Sequence, residues 1–172
     1  MAETQQTTLP VTVAELGERI RQSRAAFDAA VARLTPEQFL AVSDDGWTAK
    51  DVVAHVAAWE QGTTAVMLAE SRTSAMGLTG DAASMDVDAV NRQLFDLHRD
   101  RPAAEVVAMA REAHARMLAA LATLSDDDLR RPANDIGGSD PAGEPLVRAI
   151  VSDTYEHYDD HVASLRDRAI GT

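Results

Sequence analysis

The chain has 172 residues, of which 28 are acidic and 16 basic; its formal net charge is −12, it has no cysteine, and 4% of it is aromatic. Because acids are spread along the whole length, we expect neither nucleic acid nor an anionic membrane surface as a partner. Without cysteine, any metal ion has to be held by His, Asp or Glu. The polar start, MAETQQTTLPVT, and the lack of a long apolar run predict a cytoplasmic protein, with residues 1–172 as one domain and 1–11 as a flexible N-terminal segment.

The first elements are helical. Apolar residues spaced three and four apart predict an amphipathic helix over 13–34, whose apolar stripe is interrupted by Arg24. Thr35 with Gln38 is typical of a capping box, so a short helical turn follows. The next long helix is predicted over 48–71.

Two capping residues and a loop follow from the local sequence. Thr48, with Asp51 three residues later, indicates the start of the second long helix. Residues 72–84 contain Gly, Ser and Thr without periodicity, which predicts a loop that crosses the molecule. Asp86 can cap a shorter helix behind this loop.

The second half of the chain is also helical. Pro102 begins a long helix whose apolar stripe runs to Leu124. Residues 132–145 are rich in Pro, Gly, Asp and Asn and lack the G-K-[ST] ending of a phosphate loop. The last helix is predicted as one continuous segment over 144–168. Because no segment alternates with period two, the elements predict an all-α fold, a bundle of four long helices and a short one.

Three histidines are predicted to face the interior of this bundle. His157 and His161 are four residues apart, so their Cβ atoms lie about 6 Å apart on the apolar face of the last helix. His55 lies on the apolar face of the second helix. Neighbouring buried imidazoles need hydrogen-bond partners and repel one another when protonated, and a divalent cation meets both demands. The residues indicate either a three-histidine metal site with an open position for catalysis, or core histidines.

Other side chains are weaker candidates. Trp59 can form the wall of a substrate pocket or belong to the core. Asp51 can orient an imidazole or act as a base, or only cap its helix. Tyr158, near the edge of the buried face of its helix, can offer a hydroxyl group and is the second candidate catalytic residue. His98 and His114 lie on or beside apolar stripes, and we interpret them as structural residues.

Two segments carry a resemblance to a known family. DGWTAKDVVAHVAAWE, residues 45–60, and TYEHYDDH, residues 154–161, resemble the DinB superfamily, and the similarity covers nearly the whole chain. This superfamily includes YfiT-like proteins, the N-terminal domain of mycothiol-dependent maleylpyruvate isomerases and the ClbS/DfsB branch, which the chain also resembles around Asn91 and Arg92. The resemblance implies a four-helix bundle of up-down-down-up topology, whose long crossover, here 72–100, carries a short extra helix.

The resemblance also implies a chemistry. Carried over by position, it implies a divalent metal ion, nickel or zinc, held by His55, His157 and His161. Members with known chemistry are thiol-dependent transferases, isomerases and hydrolases, and members often form homodimers. The ClbS/DfsB branch, which is associated with self-protection against reactive metabolites, does not uniformly keep these histidines.

We therefore expect a metal-dependent enzyme that activates water or a low-molecular-weight thiol cosubstrate against a small-molecule substrate, a hydrolase or a thiol transferase. A second interpretation is a bundle that binds or sequesters a small molecule without turnover, as in the ClbS/DfsB type. A third is a helical interaction module whose histidines only belong to the core. A homodimer is compatible with all three.

Overall fold

The computed structural model describes residues 9–79, 86–133 and 143–170. Its helices are α1 (Val13–Val31), α2 (Pro36–Leu40), α3 (Ala49–Met67), α4 (Arg72–Ala75), α5 (Val87–His98), α6 (Ala103–Leu121), α7 (Leu146–Asp153) and α8 (Tyr155–Ile170), with a 3₁₀ turn at Asp128–Arg130. The predicted all-α class is confirmed, since these described residues contain no strand beyond an isolated bridge. The up-down-down-up order of the bundle helices stays a prediction.

Parts of the predicted loops and termini lie outside the described residues. These parts are 1–8 of the predicted N-terminal segment, 80–85 of the predicted crossing loop and 134–142 of the loop rich in Pro and Gly. Within the described ranges, no helix is both long enough and apolar enough to cross a membrane.

Several helices begin where short-range hydrogen bonds allow them to begin. Thr35 and Gln38 form a capping box at α2, and Thr48 and Asp51 form another at α3. The carboxylate of Asp86 accepts a hydrogen bond from a backbone N–H in the first turn of α5. These three predicted helix starts are confirmed, because a cap depends on residues only three positions apart.

The predicted crossing loop contains one turn of helix. Helix α4 opens it, and the hydroxyl of Ser71 accepts a hydrogen bond from the N–H of Ser74 at its start. Arg72 in this turn is buried, and its guanidinium donates to the carboxylate of Asp153 at 2.6 Å. The prediction of a loop from residue 72 onward was therefore wrong for this turn, because the contact that orders it joins residues far apart in sequence.

The last helix is broken, and the prediction of one continuous segment was wrong. Thr154 has φ −119° and ψ −102°, and it separates α7 from α8. Its hydroxyl donates to the carbonyl oxygen of Ile150 at 2.5 Å. A threonine that bonds the carbonyl four residues earlier bends a helix. The break lies three residues before His157. The side chains of α8 therefore point in directions that differ from those of one continuous helix.

Helix α3 is the central element of the core. It packs against α4, α5, α6, α7 and α8, while α1 packs against α8. Nearly all of its residues are buried, as expected for a helix surrounded on every side. Polar residues on α3 are therefore forced into the interior, where they need partners from other helices. They are Lys50, Asp51, His55, Glu60, Thr63 and Thr64.

Glu60 joins four helices through one carboxylate oxygen. The side chain is fully buried, and its Oε1 lies 2.7 Å from Nη1 of Arg24 on α1. The same oxygen lies 2.7 Å from Nδ1 of His114 on α6 and accepts the hydroxyl of Tyr158 on α8 at 2.5 Å. Arg24, which interrupts the apolar stripe of α1, is thus the buried counter-charge of Glu60. His114, predicted to be structural, donates to the same group.

The Glu60 cluster also sets the rotation of α8 about its own axis. The ring of Tyr158 is fully buried, 6.0 Å from the ring of Phe27 and 5.8 Å from the guanidinium carbon of Arg24. Burial and the nearby charge of Glu60 raise the pKa of Tyr158, so its hydroxyl stays a donor. His157 directly precedes Tyr158 on α8, so the burial of Tyr158 against Glu60 also determines the direction of the His157 side chain.

We predict that Glu60→Gln lowers the free energy of unfolding by about 3 kcal/mol, because the buried guanidinium of Arg24 loses its buried counter-charge and keeps only the exposed Asp28 as an ion-pair partner. Urea denaturation monitored by circular dichroism measures this loss. The control is Glu18→Gln, since Glu18 is exposed and pairs with Arg21 at the surface of α1. That variant should change the stability by less than about 0.5 kcal/mol. Equal effects of the two substitutions would contradict the role of the cluster.

Candidate functional site

Helices α3 and α8 bring the three predicted metal ligands together. Nε2 of His157 lies 2.8 Å from Nε2 of His55 and 3.1 Å from Nε2 of His161. One nitrogen of each ring lies within 4.8 Å of the other two. His55 is buried and the two histidines of α8 are partly buried. Among the described residues, these three form the single group of His, Asp or Glu side chains arranged closely enough to hold one metal ion.

The environment of the three rings keeps them neutral. Burial lowers the pKa of His55 well below its ordinary value, and the two other rings act in the same direction. Burial and then His161 lower the pKa of His157 to about 3. Burial also lowers the pKa of His161, although the carboxylate of Asp160 opposes this shift. At neutral pH each ring therefore keeps a lone pair on one nitrogen.

This donor set fits a divalent metal ion. A neutral ring nitrogen offers either one proton or one lone pair, so Nε2 of His157 can make one well-formed hydrogen bond, not two. A cation between the rings would accept all three lone pairs at once. Imidazole nitrogens are ligands that zinc and nickel favour. The three residues that would hold the ion are His55, His157 and His161.

The histidines open onto a cleft between α3, α5, α7 and α8. It has a volume of about 320 Å³, and its lining includes Trp59, Asn91, Asp153 and Asp160 besides the three rings. A second cavity of about 200 Å³ lies on the other side of His55 and is lined in part by Trp47. The edge of Trp47 contacts the ring of His55, with 5.5 Å between ring centroids. A small organic ligand can therefore reach the ring nitrogens.

Trp59, predicted either as a pocket wall or as a core residue, lies in the lining of the cleft. Its ring centroid lies 6.1 Å from that of His55 and 6.0 Å from that of His157. The indole Nε1 donates to Oδ1 of Asn91 at 3.2 Å. On the other face, the guanidinium carbon of Arg72 lies 4.8 Å from the ring centroid. The indole is thus held by a cation–π contact and a hydrogen bond.

The carboxylate of Asp153 is held by partners from two other helices. Its Oδ2 accepts hydrogen bonds from Nη2 of Arg72 and from the hydroxyl of Thr63, both at 2.6 Å. All three side chains are buried. The guanidinium that supports Trp59 therefore also balances the charge of a carboxylate in the lining of the cleft.

The two predicted catalytic residues lie away from the cleft. Asp51 accepts hydrogen bonds from Thr48 at 2.7 and 2.9 Å and from Nζ of Lys50 at 2.9 Å. Burial acts to raise its pKa, but the bonds from Lys50 and Thr48 bring the pKa below its ordinary value. Tyr158 faces Glu60 inside the core. Neither side chain lines either cavity next to the histidines.

Sequence reasoning missed the residues that support the site. Glu60 follows Trp59 on a largely apolar helix, and a charged residue on the buried side of such a helix was an available signal. Arg72 carried no such signal, because its neighbours along the chain are polar and mostly exposed. Asp153 carried none either, because the apolar periodicity of the last helix continues through its segment. The family resemblance includes Asn91 but implies no role for it.

We predict that metal-free protein loses stability as the pH falls from about 6.5 to about 3. The unfolded chain takes up a proton on His157 near its ordinary pKa of 6.5, whereas the folded chain does so near 3. The folded state thus binds fewer protons in this window, and His157 alone contributes a slope of about 1 kcal/mol per pH unit. Urea unfolding of chelator-treated protein between pH 7 and pH 4 measures it. His157→Gln should flatten the curve; an unchanged slope would contradict the prediction.

Three solved structures share the fold over nearly their whole length. The colibactin self-resistance protein ClbS, in complex with a dsDNA, matches with a TM-score of 0.74 and 14% identity, over 96% of this chain and 99% of that chain. A protein from Streptococcus pneumoniae matches with a TM-score of 0.73 and 15% identity, over 94% and 91%. The Sibling Lethal Factor Precursor DfsB matches with 0.67 and 16%, over 91% and 94%. No curated protein sequence matches the chain.

The expectation that nucleic acid is excluded as a partner is wrong. ClbS, which has the same fold, is seen in complex with a dsDNA. Net charge is a sum over the whole chain, whereas phosphates are contacted by local groups of cations. A chain with a net charge of −12 still presents exposed arginines such as Arg111, Arg116 and Arg166.

The sequence itself matches a family model over residues 19–165, which contains the capping segment of α3 and all three histidines. ClbS and DfsB belong to the branch that the sequence resembles. The chain belongs to the DinB superfamily.

Proposed function

We propose that the chain binds one divalent metal ion through His55, His157 and His161 and acts on a small molecule held in the adjoining cleft. The observation that supports this proposal is the convergence of three neutral ring nitrogens within 4.8 Å, at the wall of a cleft of about 320 Å³. Membership of a superfamily whose members often bind metal supports it further.

The donor set and the composition limit the chemistry. When bound, a divalent ion supplies Lewis acidity that favours the deprotonated form of water or of a thiol at neutral pH. Three protein ligands are typical of catalytic sites, whereas structural sites have four. Because the chain contains no cysteine, a thiol nucleophile has to arrive as a cosubstrate. The reaction classes that we propose are hydrolysis and thiol transfer to a small electrophile.

The chain's own residues bind and orient the substrate. Trp59 offers a rigid flat surface beside His55 and His157, which suits a planar group and displaces water. Asp160 is exposed at the rim of the cleft and supplies a negative charge there. The charge of Asp153 is balanced by Arg72, so that carboxylate is held in the wall of the cleft.

We predict that untagged wild-type protein contains about one nickel or zinc ion per chain and that His157→Ala loses it, because one of three ligands is removed. Elemental analysis by mass spectrometry measures the metal content. His98→Ala is the matched control, since His98 is a buried histidine outside the group of three, and it should keep the metal. Equal metal content in His157→Ala and wild type would contradict the proposed site.

One observation favours a second function, the binding of a reactive small molecule without turnover. The cleft lining contains two carboxylates, and the buried one, Asp153, is engaged by Arg72 and Thr63. A cleft whose buried acid is already paired is better suited to holding a ligand than to moving protons. The fold is also that of ClbS, a self-resistance protein.

We predict that metal-loaded protein turns over repeatedly, which separates the two functions. Hydrolysis of 4-nitrophenyl acetate and transfer of cysteine or glutathione to 1-chloro-2,4-dinitrobenzene are followed by absorbance. Catalysis should exceed the metal-free rate by at least about 100-fold, as expected when a bound metal ion activates a nucleophile, and His157→Ala should remove this gain. Binding without turnover would instead support sequestration.

A further inference from the structure

We propose that Asn91 fixes the orientation of the ligand in the cleft by donating a hydrogen bond from its side-chain amide to a carbonyl oxygen of the ligand. The proposal rests on the proposed function, because the ligand is the small molecule that we assign to the cleft beside the histidines. It assigns a polar role to a residue of α5, and a chemical class of ligand, in a cleft whose other polar lining residues lie on α3, α7 and α8.

The orientation of the Asn91 amide follows from its partner. The indole nitrogen of Trp59 can only donate, so the atom of Asn91 that lies 3.2 Å from it is the oxygen. The nitrogen of the amide is therefore on the other side, with two N–H groups. Within the part of the chain that the structure describes, this nitrogen donates to no residue. Asn91 is partly exposed, so a ligand can reach these donors.

The support behind Asn91 is rigid. Trp59 is only 6% exposed, and the guanidinium of Arg72 lies 4.8 Å from its ring centroid. Arg72 is itself buried and paired with Asp153 at 2.6 Å. Asp153 thus pairs with Arg72, and the guanidinium of Arg72 makes a cation–π contact with Trp59. The indole of Trp59 in turn donates a hydrogen bond to the amide of Asn91. A donor held in this way loses little conformational entropy when it binds an acceptor.

The place of Asn91 in the cleft gives it contact with any ligand of sufficient length. Three residues line both the cavity of about 320 Å³ and the one of about 200 Å³, namely His55, Asn91 and His161. A ligand that extends from one cavity into the other has to pass the amide and the ring nitrogens. The amide is then the neutral donor beside the proposed metal ligands.

The surroundings define the class of ligand. Asp160 and the paired Asp153 line the same cleft, and their carboxylates disfavour a ligand anion placed beside them. A neutral carbonyl oxygen can accept from the Asn91 amide without repulsion from these carboxylates. The flat wall of Trp59 suits a planar substituent next to that carbonyl. We therefore assign the cleft to planar amides, esters or thioesters, with benzamide as a probe.

The experiment is a titration of ¹⁵N-labelled full-length protein with benzamide, followed through the side-chain amide signals. The Asn91 signal is assigned by its loss in Asn91→Ala. Wild type should show a saturating shift of this signal, and Asn91→Ala and the isosteric Asn91→Asp should bind benzamide about 3- to 10-fold more weakly, as expected for one hydrogen bond. Arg92→Ala, an exposed neighbour on α5, is the control and should change the affinity by less than about twofold.

Each result of the titration decides the inference. An unmoved Asn91 signal, no binding by wild type, or equal affinities of wild type and both Asn91 variants would overturn it. Asn91→Asp keeps the oxygen that accepts from Trp59, so its retained folding, checked by circular dichroism, separates loss of the donor from loss of structure. The titration is run on zinc-loaded and on chelator-treated protein. Failure to bind zinc contradicts the metal proposal, whereas the Asn91 signal is still measured in the metal-free sample.

Discussion

The burial of one carboxylate at the centre of α3 constrains the rest of the fold. A buried carboxylate needs hydrogen-bond donors, and α1, α6 and α8 each provide one to Glu60, namely Arg24, His114 and Tyr158. The hydrophobic effect brings the helices together but does not select their rotation, because it is not directional. Hydrogen bonds are directional, so three donors that converge on one oxygen of Glu60 select the rotation of α1, α6 and α8 relative to α3.

Two of these helices, α3 and α8, also carry the three histidines of the site. His55 and Glu60 lie on α3, and His157 and Tyr158 are neighbours on α8, so the contact that anchors the core and the contact between the rings have a common support. A change in the core cluster would therefore move the ring nitrogens as well as lower the stability. Desolvation of the rings, which keeps them neutral, also depends on this packing.

Much of the local structure and the identity of the three histidines were predictable. Caps such as Thr48 depend on residues three positions away, and the spacing of His157 and His161 places both on one helix face whatever that helix contacts. The turn around Arg72 and the break at Thr154 were not predictable in the same way. The turn depends on the pairing of Arg72 with Asp153 in another helix. The break depends on the rotamer in which the Thr154 hydroxyl reaches the carbonyl oxygen of Ile150, and hydrophobic periodicity carries no information about rotamers.

The sequence by itself determined the composition of the site: nitrogen and oxygen donors without thiolate, on helices with defined starts. Only the tertiary structure decided which polar residues meet. It placed Asp51 in a helix cap and Tyr158 against Glu60, and it brought Asn91 to Trp59 at the edge of the histidine cleft. The reason is physical: caps and helix faces are set by neighbours along the chain, whereas buried charges and donors are matched across helices after packing. Net charge likewise belongs to the sequence, but its distribution over the surface, which governs partners, belongs to the fold.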